Sequence, residues 1–415
     1  MKRSLQSSRP PAPALFTTSG VALIAATYGL ARLGYGLFLP AFSSSFALSP
    51  TVSGLLSSGA SVLYCVAAAI GFLLAPIRPR TVTLLAGTSA AVGSLGIAGA
   101  NTTAVFAVAV LLAGMGAGFA SPALVELVRR NSTSETRDRR QSVINSGTGF
   151  GVVVAGLLSL VLGSDWRIAW VLVAVIALVS TAGVLWLDRG ERAQAGAPRT
   201  GPSGPNHLTR SSFRNLGRPL VGSSVLGAGS AAVWVYGRAT LEQSGGMTTE
   251  LSAGAWIALG LGGAGATLAA RWLATRPIAT TWSVSALGTA AATVLIATAA
   301  GTPLLAYAAA GLFGLAYTAA TSVLILWASL GPGNSAAGTS LLFIALVLGQ
   351  ATGAALSGVA MEAGGPGPTF VAAALACAAS TLVLCRSRHR TGRGHRGQNV
   401  WKRDGTSGSW QGSER

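Results

Sequence analysis

Long apolar runs separated by short polar breaks dominate the chain from residue 16 to residue 385. A helix that crosses the hydrocarbon core of a bilayer needs roughly 20 apolar residues. Runs of that kind fall at 16–41, 52–76, 81–100, 103–127, 141–163, 168–187, 219–241, 252–274, 279–300, 303–328, 336–360 and 368–385. The breaks carry turn chemistry, as in Ile77-Arg78-Pro79-Arg80, Gly331-Pro332-Gly333-Asn334 and Gly364-Gly365-Pro366-Gly367-Pro368. The pattern predicts an all-α membrane protein with twelve transmembrane helices. The first run is too long for a signal peptide and lacks a small-residue cleavage site, so it reads as a retained span.

One break is much longer than the rest. Residues 188–218 set Arg189, Arg192, Arg199, Arg210, Arg214 and Arg218 among Pro, Gly and Ser, which reads as a flexible linker. It divides the spans six and six. The predicted order is a tail at 1–13, a six-helix bundle at 14–187, the linker, a second six-helix bundle at 219–385, and a basic tail at 386–415 without apolar periodicity.

Composition agrees with a bilayer. Half of the residues (51%) are hydrophobic and 10% are charged, against about 25% charged in ordinary soluble domains. The net charge of +18 would suggest nucleic acid, but its placement follows membrane topology instead. With the N-terminus inside, the 29 Lys and Arg residues all fall in inner segments except Arg167 in an outer loop and Arg32 and Arg238 within helices. The expectation is a multi-pass, monomeric protein of the cell membrane with both termini cytoplasmic, whose partners are lipid and a small solute. Cys65, Cys377 and Cys385 sit in or beside apolar runs, without metal or disulfide spacing, and read as buried thiols. No metal or cofactor is expected.

The two bundles look alike. Gly34-Tyr35-Gly36 matches Val235-Tyr236-Gly237, Arg78-Pro79 matches Arg276-Pro277, and Gly151/Ala155/Ser159 matches Gly349/Gly353/Ser357. Three matches at nearly one offset indicate an internal duplication, giving two pseudo-symmetric six-helix bundles. The small-residue stripes Gly147/Gly151/Ala155 and Gly349/Gly353 read as helix-packing surfaces, expected where one bundle meets the other.

These features resemble the major facilitator superfamily over residues 14–385. Arg32-Leu33-Gly34-Tyr35-Gly36-Leu37-Phe38-Leu39-Pro40 is similar to a stretch of a YbfB-like bacterial branch, and Asp165-Trp166-Arg167-Ile168-Ala169-Trp170 is similar to the turn before helix 6 in many members. The resemblance implies a secondary transporter working by alternating access. Between helices 2 and 3, however, Ala75 and Pro76 stand where the family carries Asp and Arg, and helix 5 lacks the antiporter proline.

A charge at bilayer depth costs at least ~2.5 kcal/mol, so Arg32 and Arg238 mark the place to look for function. At ~1.5 Å per residue they lie roughly 24 and 28 Å into their helices. Tyr28, Arg32 and Tyr35 share one helical face, and Trp234 shares a face with Arg238. Guanidinium groups flanked by rings suit an anionic substrate with an apolar body, and organic-phosphate exchangers of the superfamily resemble this in carrying one Arg on each of these helices. Arg238 and Glu242, at i and i+4, equally read as a simple ion pair. Asn145 and Gln350 are candidate lining residues, and interhelical hydrogen bonds explain them equally well. No carboxylate or His sits at mid-depth, so a proton-coupled efflux pump is the alternative, through an Arg–Glu switch involving Glu242. A membrane-embedded enzyme lacks a catalytic cluster, and a sensor lacks an output domain.

Overall fold

The computed structural model describes residues 12–163, 165–188, 210–299, 301–329 and 335–385, and these are helical, with no strand among them. The helices in chain order are α1 (Ala14–Phe46), α2 (Pro50–Leu74), α3 (Pro79–Gly99), α4 (Thr103–Asn131), α5 (Ser134–Leu162), α6 (Trp166–Leu187), α7 (Arg210–Gln243), α8 (Thr249–Thr275), α9 (Ile278–Thr298), α10 (Pro303–Ser329), α11 (Ser335–Gly364) and α12 (Pro366–Ala379). Ten of them are long and apolar enough to cross a membrane; α8 and α12 lie outside that set, α12 having only 14 residues. The protein is a multi-pass membrane protein. Helices suit lipid because each satisfies its own backbone polar groups. Large apolar side chains such as Leu73, Val161, Val179, Leu356 and Leu375 point outward and are well exposed, as a lipid-facing surface requires.

Local chemistry sets the helix starts. Ser49 and Thr102 cap α2 and α4 by accepting the amides of Val52 and Val105, each at 3.3 Å, and Pro50 and Pro79 take first-turn positions that need no amide donor. Two boundaries differ from expectation. α7 begins at Arg210, so the end of the predicted linker is helical, while 189–209 and the tail from 386 lie outside the described residues. The last predicted run is broken after Ala379, where the Ser380 and Thr381 hydroxyls bond back to the Cys377 and Ala378 carbonyls and Trp282 Nε1 donates to the Ser380 carbonyl.

Packing repeats when six is added to each helix number. Within the first six helices, α1 packs on α5 and α6, and α4 on α2 and α3; within the second six, α7 packs on α11 and α12, and α10 on α8 and α9. Across the halves α2 meets α11, α8 meets α5, and α1 meets α7. The small-residue stripes serve the first set of contacts, not the second. Gly147 lies against the Val21 carbonyl, and Gly151 against the Ala25 carbonyl and Gly29, all on α1. Ala155, one turn further along the same face of α5, is buried in the apolar core. Gly349 and Gly353 lie against the backbone of Ser224 and Ala228 on α7.

The expectation that Gly147, Gly151 and Ala155, with Gly349 and Gly353, join the two bundles is therefore corrected. Each stripe draws two helices of its own half to backbone contact. The physical reason lies in side-chain size: hydrogen atoms at Gly147 and Gly151 let α1 and α5 touch along their backbones, and the single methyl of Ala155 continues that narrow face as ordinary core packing. The halves meet through other glycines, such as Gly36 on the Trp234 carbonyl and Gly54 on the Ala354 carbonyl.

α1 is irregular in the middle. Ala25–Arg32 is π-helical, and the Leu33 amide bonds to the Tyr28 carbonyl at 2.9 Å. Stretches of this kind recur at functional sites, and this one ends on Arg32.

At the end of the molecule where α6 stops, Asp188 is buried among basic and polar side chains of α3 and α4. Its side chain is 1% exposed, bonded to Arg130 and to Asn131 Nδ2 at 2.8 Å, with Arg80 Nε at 3.9 Å. One carboxylate thus ties α3, α4 and α6 together. Removing one partner of a buried ionic cluster costs about 3–5 kcal/mol. Asp188→Asn should lower the thermal-unfolding midpoint in detergent accordingly, and an unchanged midpoint would show that the charge is dispensable there.

Candidate functional site

A small cavity lies between the halves, lined by Arg32, Tyr35, Ser57, Ser61, Trp234 and Gln350 among others. α1 and α2 supply one wall, with α4 behind them; α7 and α11 supply the other. Its volume is 40 Å³. A single water needs about 10–15 Å³ of such space, so this conformation admits a few waters and excludes an organic molecule.

Arg32 enters this cavity from the end of the π-helical stretch. Its Nη2 donates to Gln350 Oε1 on α11 at 2.8 Å, and Gln350 Nε2 donates in turn to the Tyr317 hydroxyl on α10 at 2.8 Å. The guanidinium carbon stands 4.7 Å from the centre of the Tyr64 ring, a cation–π distance. Its Nε is buried and makes no hydrogen bond. No carboxylate among the described residues pairs with it. The positive charge is thus met by a neutral amide and a ring face, with the buried Nε donor unused. That arrangement leaves capacity for an anion.

The aromatic neighbours divide into wall and support. Tyr35 lines the cavity and donates to the Ser53 carbonyl at 3.0 Å. Trp234 lines it from the other half, edge-on to Phe313 (5.6 Å) and Tyr317 (5.5 Å), which stack on each other. Tyr28 stands behind the wall. Its hydroxyl bonds to those of Tyr64 at 2.6 Å and Ser121 at 3.1 Å, which fixes the ring under Arg32. Asn145 is exposed and bonds to Gln141, away from the cavity, whereas Gln350 is in it. The packing residues Gly147, Gly151, Ala155, Gly349 and Gly353 are absent from the cavity wall.

Arg238 holds a different post. It is 3% exposed and absent from the cavity wall. Nε donates to Glu242 Oε1 at 2.8 Å and to Ser252 Oγ at 3.0 Å; Nη1 donates to the Leu37 carbonyl at 2.6 Å and Ser159 Oγ at 2.7 Å; Nη2 donates to the Thr249 carbonyl at 3.1 Å. One side chain on α7 therefore clasps α1 and α5 of the other half as well as α8 of its own. The ion pair with Glu242 is formed, and the two arginines do not meet in one cavity in this conformation. More bonds between the halves lie at the same end. Tyr236 donates to the Pro50 carbonyl at 2.8 Å, and the Thr51 amide donates to Glu362 at 3.2 Å.

Tyr64, Tyr317 and Ser252 carried no sequence signal. Each is one of several polar residues on a largely apolar helix, and its partner comes from another helix. The π-helical turn likewise follows from no proline or glycine pattern that would announce it.

The sequence model of the Major Facilitator Superfamily matches residues 21–341. Among solved structures, the chain is similar to the nucleoside transporter NupG (14% identity, 90% of this chain and 98% of that one, TM-score 0.68). It is similar to a D-xylose–proton symporter (15%, 88% and 96%, TM-score 0.68) and to the human organic anion transporter MFSD10 (16%, 90% and 100%, TM-score 0.64). No curated protein matches it. At these identities the structural likeness concerns the fold.

Proposed function

Because the chain belongs to the Major Facilitator Superfamily, we propose that it is a secondary transporter moving a small organic solute by alternating access between its two halves. The proposal includes twelve spans, with α8 and α12 completing the ten, and both termini on the cytoplasmic face of the cell membrane, as the Lys and Arg placement favours. On that orientation the Arg238 end is the outer end. The stretch Arg32–Pro40 supports a place in the YbfB-like branch.

We further propose that the solute carries an anionic group. One observation carries this: Arg32 lines the cavity between the halves with a buried, unused Nε and no carboxylate partner among the described residues. Tyr35 and Trp234 would flank the rest of the solute, with Tyr28 steadying the Tyr64 ring. Arg238, the second arm of an anion clamp, reaches the solute only once its clasp opens. The fold does not choose a substrate, since its structural neighbours include transporters of a sugar, of nucleosides and of organic anions.

The test is counterflow in proteoliposomes with panels of carboxylates, phosphate esters, sugars, nucleosides and amines. An anionic solute should be exchanged by the parent and not by Arg32→Met. Exchange confined to neutral or cationic solutes would sink the anion reading while leaving transport intact. Absence of exchange with every panel would count against the transporter reading itself.

A further inference from the structure

The cavity between the halves is walled by hydrogen-bond donors, with no acid among its described lining residues. Arg32, Ser57 and Ser61 line it from the first half, and Trp234 and Gln350 from the second. Two of these donors, Arg32 Nε and Trp234 Nε1, are buried without a hydrogen-bond partner. Trp234 as a whole is 9% exposed. The Tyr317 hydroxyl stands near its indole nitrogen without completing a hydrogen bond. An indole N–H can only donate, and so can a guanidinium N–H. The serine hydroxyls can turn their protons inward, since a hydroxyl rotates to suit its partner. Gln350 Oε1, an acceptor on the same wall, is already bonded to Arg32 Nη2.

Unpartnered donors on one small cavity suit either water or an anion, and charge decides between them. Water meets a donor but brings no charge. Arg32 carries a full positive charge against a ring face and a neutral amide, and no carboxylate among the described residues pairs with it. A buried charge without a counter-charge is unfavourable, so the counter-charge comes from solution. Size then selects the anion. At 40 Å³ the cavity has room for a few waters, which a monatomic anion also fits and an organic acid does not. In so small a space one ion touches the walls of both halves.

We propose that the cavity is a halide site shared between the two halves, in which Arg32 Nε and Trp234 Nε1 hold one chloride ion and the Ser57 and Ser61 hydroxyls complete its shell. The inference deepens the transporter reading and rests on Arg32 being an anion-binding residue. It gives that residue a second ligand. The halide is the counter-ion of Arg32 while the cavity is closed, and an arriving anionic solute takes its place once the cavity widens. Nothing is made or broken covalently; one anion replaces another on the same guanidinium. The cavity can then close in the absence of solute without enclosing a bare cation.

Equilibrium binding of radiolabelled chloride to the purified full chain, in Hepes-buffered detergent, tests this without any organic solute. The parent should bind chloride saturably, and unlabelled chloride or bromide should displace the label. Trp234→Phe keeps an aromatic ring and removes the N–H. It should weaken chloride binding by about 10- to 150-fold, the effect of one hydrogen bond to a charged group. Arg32→Met should abolish saturable binding. Thermal-unfolding midpoints in chloride-free buffer, expected to stay close to the parent's, show that both variants are folded.

Absence of saturable chloride binding to the folded parent would overturn the proposal. So would undiminished binding in Trp234→Phe, which would place the ion away from the second half, or in Arg32→Met, which would place it at some other basic group. Counterflow keeps this apart from the transporter reading. An anionic solute exchanged through Arg32 by a chain that binds no chloride would sink the halide site alone. Chloride held at Arg32 and Trp234 by a chain that exchanges only neutral solutes would uphold the site and sink the anionic solute.

Discussion

Methionine in place of Arg32 should abolish transport of the anionic solute yet leave folding stability within about 1 kcal/mol, whereas the same change at Arg238 should cost about 3–5 kcal/mol. The contrast comes from what each guanidinium gives and receives. Arg238 donates to five acceptors and neutralises Glu242. Deleting it strands a carboxylate and leaves the other acceptors without this donor in a buried place. Arg32 makes one hydrogen bond, to a neutral amide, and one ring contact. A hydrogen bond to a charged group contributes about 1.5–3 kcal/mol and a cation–π contact about 0.5–2. Against them stands the cost of holding a charge at this depth, at least ~2.5 kcal/mol. These terms nearly cancel, so Arg32 contributes little to stability.

A residue that contributes little to stability, in a place where it is costly to hold, is one kept for binding. Losing the contact between a desolvated charge pair weakens binding by about 2–5 kcal/mol, a factor of roughly 30 to several thousand. Counterflow rates and thermal-unfolding midpoints for Arg32→Met and Arg238→Met, measured side by side, check both halves of this. A midpoint drop at Arg32 as large as that at Arg238 would show that Arg32 is a structural residue.

Much of this architecture is written in the chain, and the reason is the solvent. A bilayer forces long uninterrupted apolar runs and sorts basic residues to one side, so the helices and the two-part plan are legible from spacing alone. The duplication is legible too, because repeated helices must repeat their close contacts; the stripe on α5 and the stripe on α11 meet α1 and α7 in equivalent ways. What the stripes touch was not legible. A small residue every fourth position, as at Gly147, Gly151 and Ala155, announces a close neighbour without naming it, and here the neighbour belongs to the same half.

The candidate site was legible in part for a similar reason. Arg32, Tyr35, Trp234 and Gln350 line the cavity, and charge or polarity in an apolar run was enough to mark them. The separate posts of Arg32 and Arg238 were not legible, although the duplication holds the explanation. At the offset of 201 residues that relates Tyr35 to Tyr236, the counterpart of Arg238 is Leu37, whose carbonyl Arg238 itself binds. The two arginines are not equivalent positions of the repeat, so they have no reason to face one point. The π-helical stretch before Arg32 turns it further from the register that ideal helix geometry supplies.

Two glycines, tested together, distinguish contacts that hold each half together from contacts that the transport cycle must make and break. A Cβ on Gly36 would stand 1.8 Å from the Trp234 carbonyl oxygen, and a Cβ on Gly349 would stand 2.0 Å from the Ser224 carbonyl oxygen. Neither backbone atom can move aside without its helix. The crowding is nearly the same, and the consequences should differ. Gly36 is on α1 and Trp234 on α7, so the clash vanishes when the halves part at the Arg238 end. Overpacking of this kind costs about 1–3 kcal/mol or more. Gly36→Val should therefore fold normally and shift the open-to-closed ratio at that end by about 5- to 150-fold, visible as a longer distance between spin labels at the exposed residues Ser45 and Thr248. Gly349 and Ser224 belong to the same half and stay in contact whichever way the molecule opens. Gly349→Val has no conformation that relieves it, and should lower the thermal midpoint and the yield of folded protein without favouring either opening. If Gly36→Val instead unfolds as Gly349→Val does, the α1–α7 contact is permanent and the halves do not separate along it.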